Sequence, residues 1–101
     1  MSSDLSLEEW NFQVIMLVQA LVGAISKNFR MVALCYNEPD WILSFYLEKD
    51  FDEDLEEIED IVCQYTAYQD IGLRCKYEIV IGAQSLPAFS DVGRVVYRRR
   101  E

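Results

Sequence analysis

The sequence predicts a single α+β domain over residues 1–101, a two-layer sandwich in the order α-β-β-α-β-β with an antiparallel sheet and both helices on one face. One observation behind this class is length, because 101 residues of which 51% are hydrophobic can bury one core and not several. Another is periodicity, since two segments have the apolar spacing of helices and four have that of strands. An alternative arrangement places the two predicted hairpins in different sheets.

The first helix is predicted over residues 7–26, which are rich in Leu, Ala, Met, Gln and Glu. Asp4 or Ser6 can cap its start, and Glu8 and Glu9 lie in the first turn, near the positive end of the helix dipole. Apolar side chains occur all around this helix, so it must be covered on two sides. The sheet is one cover, and the second is either the other helix or a second copy of the protein.

The N-terminal third does not resemble a targeting segment. The uncharged apolar run Phe12–Ile25 is shorter than the ~20 residues that a bilayer crossing requires. The residues before it have no basic n-region and no small-residue cleavage site, so we expect no signal peptide. Cys35, Cys63 and Cys75 are isolated in apolar stretches and predict buried free thiols, which is typical of a reducing compartment. We therefore expect a cytoplasmic protein.

Two apolar runs over residues 29–36 and 41–48 flank the polar segment Asn37–Asp40 and predict an antiparallel hairpin. Every second residue from Trp41 to Leu47 is apolar, and this face is predicted to point at the core.

A second helix is predicted to begin at Asp50, with Glu53 three residues later as in a capping box, and to end at residues 70–72. Its apolar face comprises Phe51, Leu55, Ile58, Val62 and Tyr65. Residues 73–81 alternate in polarity and predict a half-exposed strand. A long loop over residues 82–93 and a short edge strand over residues 94–99 complete the domain.

The strongest indication of function is the acidic run from Glu48 to Asp60, which holds nine carboxylates and one lysine in a chain of net charge −9. Such a run is either a solvated face that keeps the protein soluble or a rigid anionic surface for a basic partner. Carboxylates three and four residues apart on a helix repel one another, and a basic partner would relieve that repulsion. The candidate partner-binding residues are Glu53, Glu56, Glu57, Asp60 and, as an aromatic anchor at the rim, Tyr68.

Residue content disfavours most other classes of function. The chain has no histidine, the commonest general base and zinc ligand, and it has no GxGxxG, GxxxxGK[ST] or GxSxG motif. Carboxylates on one convex helix neither face each other across a cleft nor converge on one ion. A pI near 4.3 disfavours binding to phosphate backbones and anionic membranes. We expect no enzyme activity, no cofactor, no metal, and neither nucleic acid nor membrane as a partner.

Three segments carry a resemblance to a known group of proteins: Asn28–Val32, Glu56–Val62 and Gly93–Glu101. From about Leu17 to its end, the chain resembles the small immunity proteins of contact-dependent growth inhibition and related polymorphic toxin systems. The resemblance implies a cytoplasmic protein that binds and blocks the toxic C-terminal domain of a cognate effector, commonly a nuclease. It brings no site residues with it.

Charge and resemblance agree, because a nuclease has a basic cleft for phosphate and an anionic inhibitor can occupy it. The leading hypothesis is thus an immunity protein that neutralises a basic toxin domain through its acidic surface. The alternative, from a different class, is a non-enzymatic adaptor or structural protein that forms a homodimer through its apolar first helix.

Overall fold

The computed structural model describes residues 6–67, 69, 72–88 and 93–101. Helices and strands follow one another as α1 (Leu7–Leu21), β1 (Phe29–Asn37), β2 (Asp40–Leu47), α2 (Asp52–Ala67), β3 (Cys75–Ile81) and β4 (Gly93–Arg98). The predicted α+β class is confirmed.

The start of α1 is a capping box formed by Ser6 and Glu9. The amide of Glu9 donates to Ser6 Oγ at 3.1 Å, and the amide of Ser6 donates to the Glu9 carboxylate at 3.0 Å. The other predicted cap, Asp4, lies outside the described residues. The helix ends at Leu21, earlier than predicted, because Val22 is extended and Gly23 adopts a φ of 79° that continues no right-handed helix.

The start of α2 differs from the prediction. The helix begins at Asp52, and the amides of Asp54 and Leu55 donate to the carbonyl of Phe51, so Phe51 takes the cap position predicted for Asp50. Asp52, Glu53 and Asp54 occupy the first turn, where the helix dipole favours negative charge. The local charge pattern therefore identified the helix but misplaced its first residue.

The sheet has the strand order β3-β2-β1-β4. The predicted hairpin is present, because β1 pairs antiparallel with β2, and β4 pairs antiparallel with the other side of β1. The prediction of a wholly antiparallel sheet is wrong: β3 pairs parallel with β2, which makes the sheet mixed. The last two strands, β3 and β4, do not form a hairpin, because they lie at opposite edges of a single sheet. The alternative arrangement with two sheets is therefore also wrong.

The connection through α2 accounts for the parallel pair. A helix that returns from the end of β2 to its beginning delivers the next strand in the same direction, which is the βαβ arrangement. The strand pattern of residues 73–81 shows that one face is apolar, and this pattern is the same for either direction. The direction is therefore set by the crossover and not by the strand itself.

One core joins both helices to one face of the sheet. Its buried members include Leu17 of α1, Ile58 and Tyr65 of α2, and Val32 and Phe45 of the central strands. The alternate residues Trp41, Leu43, Phe45 and Leu47 belong to this core, as the sequence predicted. A second, smaller cluster on the other sheet face contains Met31, Ala33 and Tyr46, with Leu86 packed against it.

A buried arginine joins the end of the chain to the start of β1. Arg30 donates from Nε and Nη2 to the two carboxylate oxygens of Glu101, at 2.9 and 3.0 Å, and its Nη1 donates to the carbonyls of Gly82 and Gln84. Arg99 also donates to Glu101, at 3.0 Å. The hydrogen bond from Arg30, together with that from Arg99, lowers the pKa of Glu101 from an ordinary 4.5 to about 2.

We expect Glu101→Gln to lower the melting temperature at pH 7 and to have progressively less effect in acid. Because the folded-state pKa of Glu101 lies below its ordinary value, the stabilisation is fully present above about pH 4.5 and is lost as the pH falls towards 2. Thermal unfolding of both proteins between pH 7 and pH 3 measures the difference. Glu59→Gln, at an exposed position of α2, is the control, and a Glu101→Gln difference that does not change with pH would contradict the prediction.

Candidate functional site

Four of the five predicted partner-binding residues lie together on α2. Glu53, Glu56 and Asp60 are exposed and Glu57 is half-buried. Their spacing of three, four and seven residues places them on one side of the helix. The opposite side packs into the core through its buried apolar residues, so the helix is held rigidly while its carboxylates face outward. The fifth predicted residue, Tyr68, lies outside the described residues.

None of these four carboxylates forms an ion pair with a cation among the described residues. The ion pairs there join Arg30 and Arg99 to Glu101, Arg99 to Glu48, and Arg74 and Lys76 to Asp40. We define the acidic face as Glu53, Glu56, Glu57 and Asp60. Among the described residues, the pair between Arg99 and Glu48, before α2 begins, is the only ion pair that joins an arginine of residues 94–100 to the acidic run, and none joins one to the acidic face.

Two carboxylates of the acidic run serve the fold instead. Asp54 is buried and accepts hydrogen bonds from Ser26 Oγ at 2.9 Å and Asn28 Nδ2 at 2.8 Å, which ties the start of α2 to the segment between α1 and β1. Glu48 accepts from Arg99 at 2.9 Å. The acidic run therefore contains some carboxylates that form hydrogen bonds within the fold and others that face solvent, and charge spacing alone does not distinguish the two kinds.

An apolar stripe of α1 is exposed in the same helical layer. It consists of Phe12, Ile15 and Val18 of α1 and of Val22, the residue just after the helix, which are 52%, 54%, 42% and 80% exposed. The sequence predicted that α1 needs a second cover, and α2 supplies only part of it. A shallow groove of about 290 Å³, lined by Met16, Gln19 and Ala20 of α1 and Gln64 of α2, separates the two helices.

A larger cleft, of about 630 Å³, lies where the first turn of α1 meets the β1–β2 turn. Its walls include Phe12, Tyr36 and Trp41, with Glu8 and Glu9 at the mouth. The sequence does not show this cleft, because the lining residues come from α1, β1, β2 and the connecting segments beside them. The only indication in the sequence is the 13% aromatic content, which does not say where the rings meet.

The cysteines are less buried than predicted. Cys63 is exposed on α2, and Cys35 and Cys75 are half-buried; all three are free thiols. Burial raises the pKa of Cys35 and raises that of Cys75 to about 11, so both stay protonated at neutral pH. Cys63 follows Asp60 by three residues and so lies next to the acidic face. The helical period placed it outward although its sequence neighbours Ile61 and Val62 are apolar.

Within the described part of the chain, no three His, Cys, Asp or Glu side chains are grouped so that they could hold a metal ion. No helix there combines the length and the apolar character needed to cross a membrane.

Comparison with known proteins adds one finding. A family model described as MafI2 immunity protein matches residues 12–101, which includes β1 to β4, α2 and most of α1. No curated protein matches the chain significantly.

Proposed function

Because the chain belongs to the MafI2 immunity protein family, we propose that it binds and neutralises the basic C-terminal toxin domain of a cognate contact-dependent inhibition effector. The acidic face of α2 is the proposed contact surface, and Tyr68 is proposed from the sequence as a further contact residue. Immunity proteins act by binding, and the chain needs neither a catalytic group nor a cofactor for this role. The toxin class that fits best is a nuclease, whose phosphate-binding cleft is positively charged.

The observation that carries this proposal is the exposure of the acidic face without an internal counterion in the described residues. Like charges three and four residues apart on a helix repel one another, and a cationic surface that binds the acidic face would relieve this repulsion. The chain's net charge of −9 also attracts a basic domain over a distance and increases the association rate. An inhibitor that must reach its toxin before the toxin reaches its target benefits from that rate.

Rescue from killing is the direct test. The proposal expects the cognate effector to be encoded next to the gene for this protein. Cells that express the C-terminal domain of that neighbouring effector should survive when this protein is co-expressed, and the two proteins should co-purify. Survival must depend on binding, so the purified pair should form a stoichiometric complex by light scattering. Absence of both rescue and complex formation with the neighbouring effector domain would overturn the proposal.

Cys63 offers a footprint of the proposed surface without changing its charge. In the free protein we expect a maleimide reagent to modify Cys63 rapidly and the half-buried Cys35 and Cys75 slowly. In the toxin complex, the modification of Cys63 should fall to the level of the other two, because the partner covers the neighbouring carboxylates. Cys63→Ser identifies the fast thiol, and unchanged labelling of Cys63 in a saturated complex would place the interface elsewhere.

A homodimeric adaptor is the second candidate, and the exposed stripe of α1 favours it. Four neighbouring apolar side chains that are 42–80% exposed are the kind of surface that a second copy covers. Under this alternative the chain is a dimer at micromolar concentration without any toxin, and Ile15→Lys converts it to a monomer. A monomer by light scattering at those concentrations would exclude the homodimeric adaptor. The apolar stripe would then be a candidate contact surface for the toxin.

A further inference from the structure

The cleft between the start of α1 and the β1–β2 turn borders the core at Trp41, and no residue of the acidic face lines it. It has a volume of about 630 Å³ and is open at one side to solvent. Pro39 of the β1–β2 turn and Leu73 before β3 complete the walls around its aromatic residues. A concave site of this size admits one or two side chains of a protein partner.

The cleft walls are aromatic and are held in place by the core. Trp41 is buried, packs edge to face on Trp10 with ring centroids 5.1 Å apart, and contacts Tyr36 at 4.8 Å. Phe12 stands at the rim with half of its surface exposed. Rings that are fixed in this way lose little conformational freedom when a ligand stacks on them.

The charge at the mouth of the cleft is negative. Glu8 and Glu9 line it, and none of the ion pairs among the described residues uses either of them. Arg74 is the one cation among the described residues that line the cleft. It donates to Asp40 at 3.0 Å, and this hydrogen bond lowers the pKa of Asp40. Asp40 also pairs with Lys76, at 3.2 Å, so this one carboxylate is shared by two cations. With Glu8 and Glu9 counted, the group still has one negative charge more than it has positive charges.

The same aromatic cluster already binds a guanidinium group on another side. Arg94 of β4 places its guanidinium carbon 4.3 Å from the centre of a Trp10 ring, within the range of a cation–π interaction. One ring of this cluster, Trp10, thus already has a guanidinium group on it, and Trp10 packs directly on Trp41 of the cleft wall. In the cleft, Phe12, Tyr36 and Glu8 offer stacking and charge; Arg74, the lining cation, pairs with Asp40, and none of the ion pairs among the described residues uses Glu8.

We propose that this cleft is an anchor site for an arginine side chain of the cognate toxin. This inference rests on the proposed function. It adds that the acidic face and the cleft affect different rates of toxin binding. Exposed charges such as those of the acidic face mainly accelerate association, whereas a desolvated aromatic pocket that holds an arginine slows dissociation. The hydrogen bonds from Ser26 and Asn28 to Asp54 place the start of α2 beyond the end of α1, so the acidic face and the cleft lie toward opposite ends of α1. A toxin that contacts both must therefore extend along the helical layer.

Dissociation rates of the complex with the neighbouring effector's C-terminal domain test the assignment. Phe12→Ala and Glu8→Gln change exposed side chains, so the fold should persist, and each should raise the dissociation rate about tenfold while the association rate changes little. Val95→Ala removes a 43% exposed apolar side chain on β4, outside the lining of the cleft and outside the acidic face, and is the matched control. Dissociation rates equal to wild type for both cleft variants would overturn the anchor.

A second measurement does not need the toxin. N-acetyl-arginine amide, titrated into the free protein, should cause saturable shifts in the NMR signals of the Trp41 indole and the Phe12 amide, and N-acetyl-leucine amide should not. Phe12→Ala should weaken the arginine response. Failure of the toxin domain to bind wild-type protein would overturn the proposed function instead, and the titration would still decide whether the cleft holds a guanidinium group. Equal responses to the two amides would overturn the cleft assignment.

Discussion

Replacing Tyr65 with alanine is expected to lower the free energy of unfolding by about 3–5 kcal/mol, the range found for removal of large buried aromatic side chains. The Tyr65 side chain of α2 is fully buried in the core that joins both helices to the sheet, and it is among the largest fully buried side chains there. A domain of this size has a total stability of roughly 5–15 kcal/mol, so the variant should be partly unfolded under mild conditions. Urea denaturation followed by circular dichroism measures the change.

Tyr65→Phe separates the ring from its hydroxyl group. The hydroxyl donates to Gln13 Oε1, and Gln13 Nε2 donates to Gln69 Oε1 at 2.8 Å, so that a polar chain links α1 to the end of α2. Removing the hydroxyl leaves a buried acceptor with one donor fewer, at a cost of about 1–3 kcal/mol. We expect Tyr65→Phe to be less destabilised than Tyr65→Ala. Equal losses would mean that the polar chain, and not ring packing, dominates this contact between the helices.

Reversing charge on the acidic face is expected to weaken toxin binding about 10–100-fold at low salt, mainly through a slower association rate. The double variant Glu56→Lys with Asp60→Lys changes two exposed residues one turn apart and should fold as the wild type does. Because salt screens such interactions over a Debye length of roughly 8 Å at physiological ionic strength, the difference between variant and wild type should shrink as salt is added. Stopped-flow association at several salt concentrations measures both effects.

A change in total charge must be distinguished from a change in the acidic face. Reversing two carboxylates raises the net charge by four, and lysine at the four exposed positions Ala83, Gln84, Ser85 and Ala88 raises it by the same amount elsewhere. That control should reduce the association rate less than the α2 variant. Equal rates for the two proteins, or no salt dependence in either, would show that the acidic face is not the contact surface. Glu53→Lys with Glu57→Lys then tests the other half of the face.

Two segments that carry the family resemblance have structural roles. Asn28 donates to Asp54 and to the carbonyl of Lys49, and accepts from the amide of Lys49. Arg30 and Glu101 pair with each other across 71 positions of sequence. The resemblance in these segments therefore reflects the way the two ends of the domain are joined. The third segment, in α2, holds three residues of the acidic face.

What the sequence determined by itself is the set of elements and the two sides of each. Periodicity identified α1, the β1–β2 hairpin and α2, and it placed Ile58 and Tyr65 inward and Glu53 and Asp60 outward, because a helix or strand imposes a fixed angle per residue on neighbours in the chain.

The same local information does not determine the contacts between distant segments. Tertiary structure alone decided the parallel pairing of β3 with β2, the use of Asp54 and Glu48 as internal partners, and the meeting of Glu8, Phe12, Tyr36 and Trp41 in one cleft. The physical reason is that pairing direction and cleft shape depend on how separate elements pack, and no residue pattern within one element encodes that packing.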